Sequence, residues 1–212
     1  ACYKLEEQAS GRHNANLLHP DWQDDESGVE LSRDDDGKVR LRHGRVDVEI
    51  ESHRLDILHS LLLEHSPDHA AQTNTRVYNS LLRYETLSKF DQGTQGSLPE
   101  RVFDVLRQEF GVEHECFASP FNVTSRSFNS VFPDVDRFFG SRGSFFDFWP
   151  DTGSYEANPP FDHGSVAAMF QHLNAILSSA EERARQDRGD GLGLPLLFIT
   201  TTPFVPSDLL CK

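Results

Sequence analysis

From Lys38 onward, apolar and polar positions alternate: Val39 and Leu41, then Val46, Val48 and Ile50, with His43-Gly44 between the two runs. A period of two belongs to a strand with one buried face, so the stretch predicts a β-hairpin whose other face carries Arg40, Arg42 and Arg45. The period then lengthens. Leu55, Leu58, Leu61 and Leu62 recur at helical spacing, as do Val77, Leu81, Leu82 and Tyr84, which predicts two helices. A Gly-bearing loop over 91–97 leads to a third helix. Ser97 is placed to cap it, Pro99 lies in its first turn, Val102, Phe103, Leu106 and Phe110 form its apolar face, and Gly111 is its stop.

Beyond Gly111 the pattern predicts a strand near Val112 to Ala118, short helical pieces from Ser125 to Phe139, and a strand at Ser144 to Phe148. An extended run, Ser154 to Ala157, enters Asn158-Pro159-Pro160-Phe161, and a long helix from about Ser165 to Arg185 precedes a strand at Leu196 to Thr200. Strands alternating with helices predict an α/β unit with a mainly parallel sheet. Of the 16 Phe, 13 lie between Phe103 and Phe170, which places the dense core in that unit. The expected organisation is a polar, acidic, partly disordered segment over 1–37, a hairpin and helical annex over 38–110, and the α/β core over 111–212.

Length and charge narrow the functional classes. The chain has 212 residues and a net charge of −14, with 20 Lys and Arg against 34 Asp and Glu, a balance that disfavours gripping a polyanion over a long track. A compact ligand with few phosphates remains compatible with it. Cys2, Cys116 and Cys211 are an odd number without CxxC spacing, so neither a disulfide scaffold nor a cysteine-built zinc site is expected. Ten histidines show no HxH or HxxxH pair on one element, so no metal is expected either. No apolar run reaches the roughly 18 residues of a membrane span. The first residue is Ala rather than Met and no signal segment opens the chain, which reads as an intracellular fragment of something longer.

Asn158-Pro159-Pro160-Phe161 directly follows a predicted strand. Two prolines fix φ and remove two N–H donors, so the carbonyls of the turn are held rigid and unladdered. Methylation of an aromatic amine needs such a turn, because the amine lone pair is delocalised into the ring. An amide oxygen on Asn158 and the carbonyl of Pro159 can each accept one amine hydrogen and hold the lone pair toward a methyl group. Phe161 would offer a face on which the base stacks. The alternative is a Pro-Pro turn closing a strand with Phe161 in the core. Glu115-Cys116-Phe117-Ala118-Ser119-Pro120 ends an earlier strand, where an α/β sheet opens its ligand crevice, and small Ala118 and Ser119 allow close approach. Its alternative is a buried strand end.

Six blocks in one order, Leu81 to Thr86, Gly96 to Val105, Glu115 to Asn122, Phe132 to Asp136, Phe139 to Gly143 and Gly153 to Phe161, resemble the phosphorylated-CTD-interacting-factor family. The similarity runs from about Val39 to Ile199 and is strong from Thr75 to Phe161. The resemblance implies a Rossmann-like class I methyltransferase core, expected to lack its last strands, beside an N-terminal hairpin and helical annex. It implies S-adenosylmethionine as cofactor and the capped 5′ end of mRNA as substrate, with methylation at N6 of the cap-adjacent 2′-O-methyladenosine, and a nuclear location. Asn158, Pro159, Pro160 and Phe161 would be the catalytic tetrad. Glu115, Phe117, Ala118, Ser119 and Pro120 would line the cofactor crevice. Asp134 or Asp136 is assigned to the cofactor's ribose hydroxyls, with helix capping around Pro133 as the alternative. Arg40, Arg42, Arg45 and Arg54 would meet the cap triphosphate, a solvated basic face being the other reading, and His163 would contact substrate. A phosphorylated polymerase tail is a partner by family alone.

The chain also departs from the family. Two positions after the tetrad the family has an acidic residue, and here stands His163. After the next strand the family runs Phe-Ile-Pro-Glu-Trp, whereas Phe198-Ile199 is followed by Thr200-Thr201-Thr202, without the tryptophan that would help grip the cap. Two further readings therefore stay open: the same tetrad acting on DNA adenine or a protein glutamine, and a catalytically silent member that binds capped RNA or serves as a scaffold.

Overall fold

The computed structural model describes residues 28–34, 36–90, 96–186 and 195–202. Cys2, Cys211, Arg188, the acidic run Asp24 to Glu26 and most of the expected polar segment lie outside them. The chain divides into two compact units, one of 1–93 with 132–141 and the other of 94–131 with 142–212. The expected boundary near residue 110 therefore differs from the observed one. The third helix groups with the parallel sheet, and a ten-residue excursion from the second half returns to the first unit.

The first unit opens with an antiparallel sheet in the order β1 (Glu30–Arg33), β2 (Lys38–His43), β3 (Val46–Glu51). β1 falls where a partly disordered segment was expected. It pairs Leu31 with Leu41 and Arg33 with Val39, extending the hairpin by one strand. Val39, Leu41, Val48 and Ile50 are buried on one face, as the alternation requires. Gly44 takes φ 63°, the left-handed geometry of a two-residue hairpin turn. α1 (Ser52–His65) buries Leu55, Leu58 and Leu62, and α2 (Thr73–Phe90) buries Val77, Leu81 and Tyr84, each a single stripe at helical spacing.

The returning segment holds α4 (Pro133–Asp136) and a 3-10 turn over Arg137–Phe139. It is fastened to α2 by polar bonds and ring contacts. Asp136 is fully buried, its Oδ1 accepting from the Ser80 hydroxyl at 2.9 Å and its Oδ2 from the Tyr84 hydroxyl at 2.6 Å. Burial first, then the Asp136 charge, raises the Tyr84 phenol far above its ordinary range. Asp134 pairs with Arg83 at 2.9 Å, and Arg76 lies over the Phe138 ring at 3.9 Å. Gly140 adopts φ 100°, a backbone geometry that favours glycine, and a Cβ there would fall 2.6 Å from His65 Nε2 and push that ring aside.

Among the described residues the second unit holds a four-stranded, parallel sheet in the order β5 (Ser127–Phe128), β4 (Val112–Glu115), β6 (Gly153–Ala157), β7 (Leu196–Thr200). α3 (Glu100–Phe110) covers one face, where Phe103 and Leu106 pack on Val112 and Ile199. α5 (His163–Gln186) covers the other, where Met169 and Leu173 pack with Cys116, Phe145 and Ala157 against Tyr155 and Phe198. Phe198 and Ile199, adjacent in sequence, thus serve opposite faces, the period-two rule of a doubly covered strand.

Three local expectations change. Ser97 does not cap α3: the N-cap is Pro99 and has no side-chain bond, while the Ser97 hydroxyl donates to the Leu98 carbonyl. The strand expected at Ser144 to Phe148 is a 3-10 turn over Phe145–Asp147, because the Ser144 hydroxyl accepts the Phe146 N–H and the aromatic rings pack around the turn. The helical pieces expected from Ser125 begin at Pro133, and Ser127–Phe128 is instead an edge strand. Gly111 does end α3, at φ 67° with its N–H on the Arg107 carbonyl.

Asp136→Ala is expected to lower the free energy of unfolding by about 3 kcal/mol, since it leaves two buried hydroxyls without their acceptor. Urea denaturation of wild type and variant measures it.

Candidate active site

Connectivity parts the loops at the carboxyl edge of the parallel sheet. From β4 the chain passes to β5 on one side, and from β6 it passes through α5 to β7 on the other. Since β4 and β6 are neighbours, the loops leaving them diverge, the topological switch point at which open α/β sheets bind ligands. The two segments that leave these ends are Cys116 to Pro120 and Asn158 to Phe161. The fold therefore brings together the two motifs singled out from the sequence.

Asn158 follows β6 directly, and the ladder continues past it through the Thr201 N–H donating to the Ala157 carbonyl at 3.1 Å. Its Oδ1 is shielded from solvent and has no hydrogen-bond partner among the described residues. Pro159 is buried, Pro160 half-buried, and Phe161 is 60% exposed, so its ring is not core. Asp162 then caps α5, its carboxylate accepting the Ser165 N–H at 2.8 Å and its carbonyl the Val166 N–H at 3.1 Å. Those bonds to Ser165 hold the Asp162 carboxyl below its ordinary value. His163 is exposed in the first turn of α5.

At the end of β4 the buried Glu115 turns into its own loop, Oε1 accepting the Thr124 and Ser125 N–H groups at 2.7 and 2.6 Å. Burial raises this carboxyl, and those two bonds act in the opposite sense. Ser119 is buried and directs its N–H and hydroxyl to Asn122 Oδ1 at 2.7 and 2.9 Å, which sets the turn. Pro120 is also buried, so the half-exposed positions of this segment are Phe117, packed on Phe145, and Ala118, whose N–H donates to the Asn129 carbonyl.

Two features of this edge carried little sequence signal. His114 is buried between Ser127 Oγ on Nδ1 (2.8 Å) and Asn129 Oδ1 on Nε2 (2.7 Å), and burial pushes it down to about 4, so it is neutral. Because Asn129 Oδ1 only accepts, Nε2 carries the proton, and the Asn129 amide nitrogen is left as a shielded donor without a partner among the described residues. Glu156, 1% exposed, has an unpartnered Oε1 and is pushed up to about 8 by burial and then by Glu115. Its place before the tetrad was visible, but its solvation was not. Shielded donors and acceptors without partners at strand ends are what a polar cofactor would satisfy, and the arrangement fits such a group.

The remaining expected residues, Asp134 and Asp136 among them, belong to the first unit. Asp136 is sealed by Ser80 and Tyr84 and offers no face to a ribose hydroxyl, while Asp134 is an exposed partner of Arg83. Arg40, also in the first unit, is paired with Glu49 at 2.6 Å and Asp47 at 3.4 Å. Arg42 is exposed opposite Asp47 on β2, and Arg54 is half-buried on α1. Among the described residues no cluster of three His, Cys, Asp or Glu is disposed to hold a metal ion, and no helix is long and apolar enough to cross a membrane.

Residues 54–206, from α1 through β7, match the family described as Phosphorylated CTD interacting factor 1 WW domain. The chain belongs to the phosphorylated-CTD-interacting-factor family. Mouse and human proteins named mRNA (2'-O-methyladenosine-N(6)-)-methyltransferase are each 47% identical to it over 111 residues, which is 50% of this chain and 16% of each relative. The chain thus spans a small part of the length of these family members.

For this family member, Phe161→Ala is expected to change unfolding free energy by less than about 0.5 kcal/mol, whereas Phe145→Ala in the buried cluster costs about 3–5 kcal/mol. Thermal or chemical denaturation separates a ring held out for a ligand from a ring in the core.

Proposed function

We propose that this chain carries the catalytic edge of an S-adenosylmethionine-dependent, Rossmann-like methyltransferase that methylates N6 of the adenosine beside the mRNA cap. The observation that carries this reading is the shielded Oδ1 of Asn158, without a partner among the described residues and held in a Pro-Pro turn at the switch point with an exposed Phe161 beside it. The relatives' printed names supply the acceptor.

An adenine amine is a weak nucleophile because its lone pair enters the ring. Asn158 Oδ1 and the Pro159 carbonyl accept its two hydrogens, which favours a pyramidal nitrogen and localises the lone pair on it; transfer would form the N–C bond as the sulfonium S–CH3 bond breaks, and the methylated amine would release one proton to solvent. Phe161 stacks on the base, worth about 1–3 kcal/mol. The cofactor supplies an activated methyl group, so no metal or covalent enzyme intermediate is required. Ala118 and Phe117 would line the cofactor side of the crevice, with the Asn129 amide as an additional donor. Glu115, Ser119 and Pro120 shape that side from beneath.

A catalytically silent, cap-binding or scaffold role is favoured by one observation: Thr200-Thr201-Thr202 and His163 stand where the family carries groups for substrate. Titration with S-adenosylmethionine and transfer assays on capped RNA, uncapped RNA, duplex DNA and peptide distinguish the readings. Asn158→Ala is expected to reduce transfer to capped RNA about 100-fold or more while leaving cofactor affinity within a few-fold. Wild type that binds no cofactor supports the scaffold, and a variant that loses both activities together removes Asn158 as the amine acceptor.

A further inference from the structure

Glu115 and Glu156 are register partners on neighbouring parallel strands, so their side chains leave the sheet on the same face, with strand axes about 4.8 Å apart. Both are buried, at 3% and 1% exposure. The face is the one covered by α3. On the other flank of Glu156 the register partner is Ile199, which is apolar. From α3 the nearby charge is Arg107, taken up by Asp104 at 2.7 Å and by the Thr124 carbonyl, and it acts on Glu115. The thiol of Cys116, next along β4, is raised well above its ordinary value by burial and then by these two acids, so it is neutral. Among the described residues Arg107 acts on Glu115 while no cation acts on Glu156, so a second buried charge beside the first is strongly disfavoured.

The backbone favours the charged form of Glu115 over that of Glu156. Glu115 accepts two N–H groups of its own loop, which hydrogen-bond the charged form, whereas Glu156 Oε1 has no donor among the described residues. The Cys116 N–H donates to the Glu156 carbonyl at 2.7 Å, the bond that ties the end of β4 to the end of β6, two residues before Asn158. We propose that Glu156 is a positioning residue for Asn158: the two carboxyls carry one proton between them, on Glu156, and that proton keeps the carboxyl ends of β4 and β6 together. Ionising Glu156 sets two charges side by side on adjacent strands, forces the ends apart and displaces the turn that holds Asn158. The pair makes the site sensitive to alkaline pH. The proposal rests on the reading of Asn158 as the amine acceptor, and its test is independent of catalysis.

Glu156 is raised from 4.5 to about 8, so its stabilising contribution is complete below 4.5 and is lost as pH rises through about 8. His59 and His114, both lowered from 6.5 to about 4 by burial, lose theirs as pH falls below 6.5, so titrating upward from 6.5 isolates the acid pair. The measurement is the ¹⁵N–¹H spectrum of the side-chain amide of Asn158, assigned by its loss in Asn158→Ala, followed from pH 6.5 to about 9.5. In wild type these signals are expected to move with a midpoint at about 8, and in Glu156→Gln, which stays neutral, they are expected to hold still. Signals that stay fixed in wild type, or move equally in the variant, overturn the proposal. Should Glu156→Gln not fold, the ¹³Cδ titration of wild type decides: one buried Glu titrating near 8 supports the pair, and both ionised by pH 6.5 refutes it. A pH-dependent Asn158 signal without methyl transfer sinks the proposed function and leaves the pair standing. Transfer whose alkaline limb is unchanged in Glu156→Gln does the reverse.

Discussion

The parallel ladder between β4 and β6 is the constraint on which the candidate site depends. It sets Glu115 beside Glu156 and ties Cys116 to the Glu156 carbonyl at 2.7 Å. Because the crossovers from these two strands run to opposite sides, the same pairing that builds the core also parts the loops above it. The doubly covered sheet, with α3 on one face and α5 on the other, holds both strand ends beneath those loops.

That edge is also where the second unit leaves polar groups unsatisfied. Asn158 Oδ1, Glu156 Oε1 and the Asn129 amide nitrogen are shielded without partners among the described residues. Each such atom costs about 1–3 kcal/mol of stability in the unliganded fold. The surrounding aromatic packing offsets this: Phe117 on Phe145, Phe148 on His114, and Tyr155 on Phe198 lock the strands beneath the site. Rigid apolar support under unsatisfied polar ends is a preorganised arrangement, since a ligand then meets groups that need not first surrender water.

In the first unit the same chemistry has the opposite outcome. Asp136 is as buried as Glu156, yet its oxygens are filled by Ser80 and Tyr84, and it joins a short return segment to α2. Two aspartates that read as ribose ligands by residue type thus divide into a sealed structural carboxylate and an exposed ion-pair partner. What distinguishes a binding acid from a fastening one is the set of donors around it, and those donors come from a helix some fifty residues earlier in the chain.

The hairpin, the stripes of α1, α2 and α3, the long α5 and the strands at 112, 154 and 196 were legible in the chain alone, because hydrophobic period is a local property. So was the place of Asn158 to Phe161 at the end of a strand, since Pro-Pro cannot continue a ladder. Local pattern could not determine β1 or β5, short edge strands whose pairing comes from distant partners, nor the turn at Phe145, where aromatic packing overrode alternation. Only the packed fold returns 132–141 to the first unit, leaves Phe161 60% exposed, and buries Glu156 beside Glu115 with no partner for its Oε1 among the described residues. Burial and the supply of hydrogen-bond donors are set by residues far apart in the chain, and no local pattern encodes them.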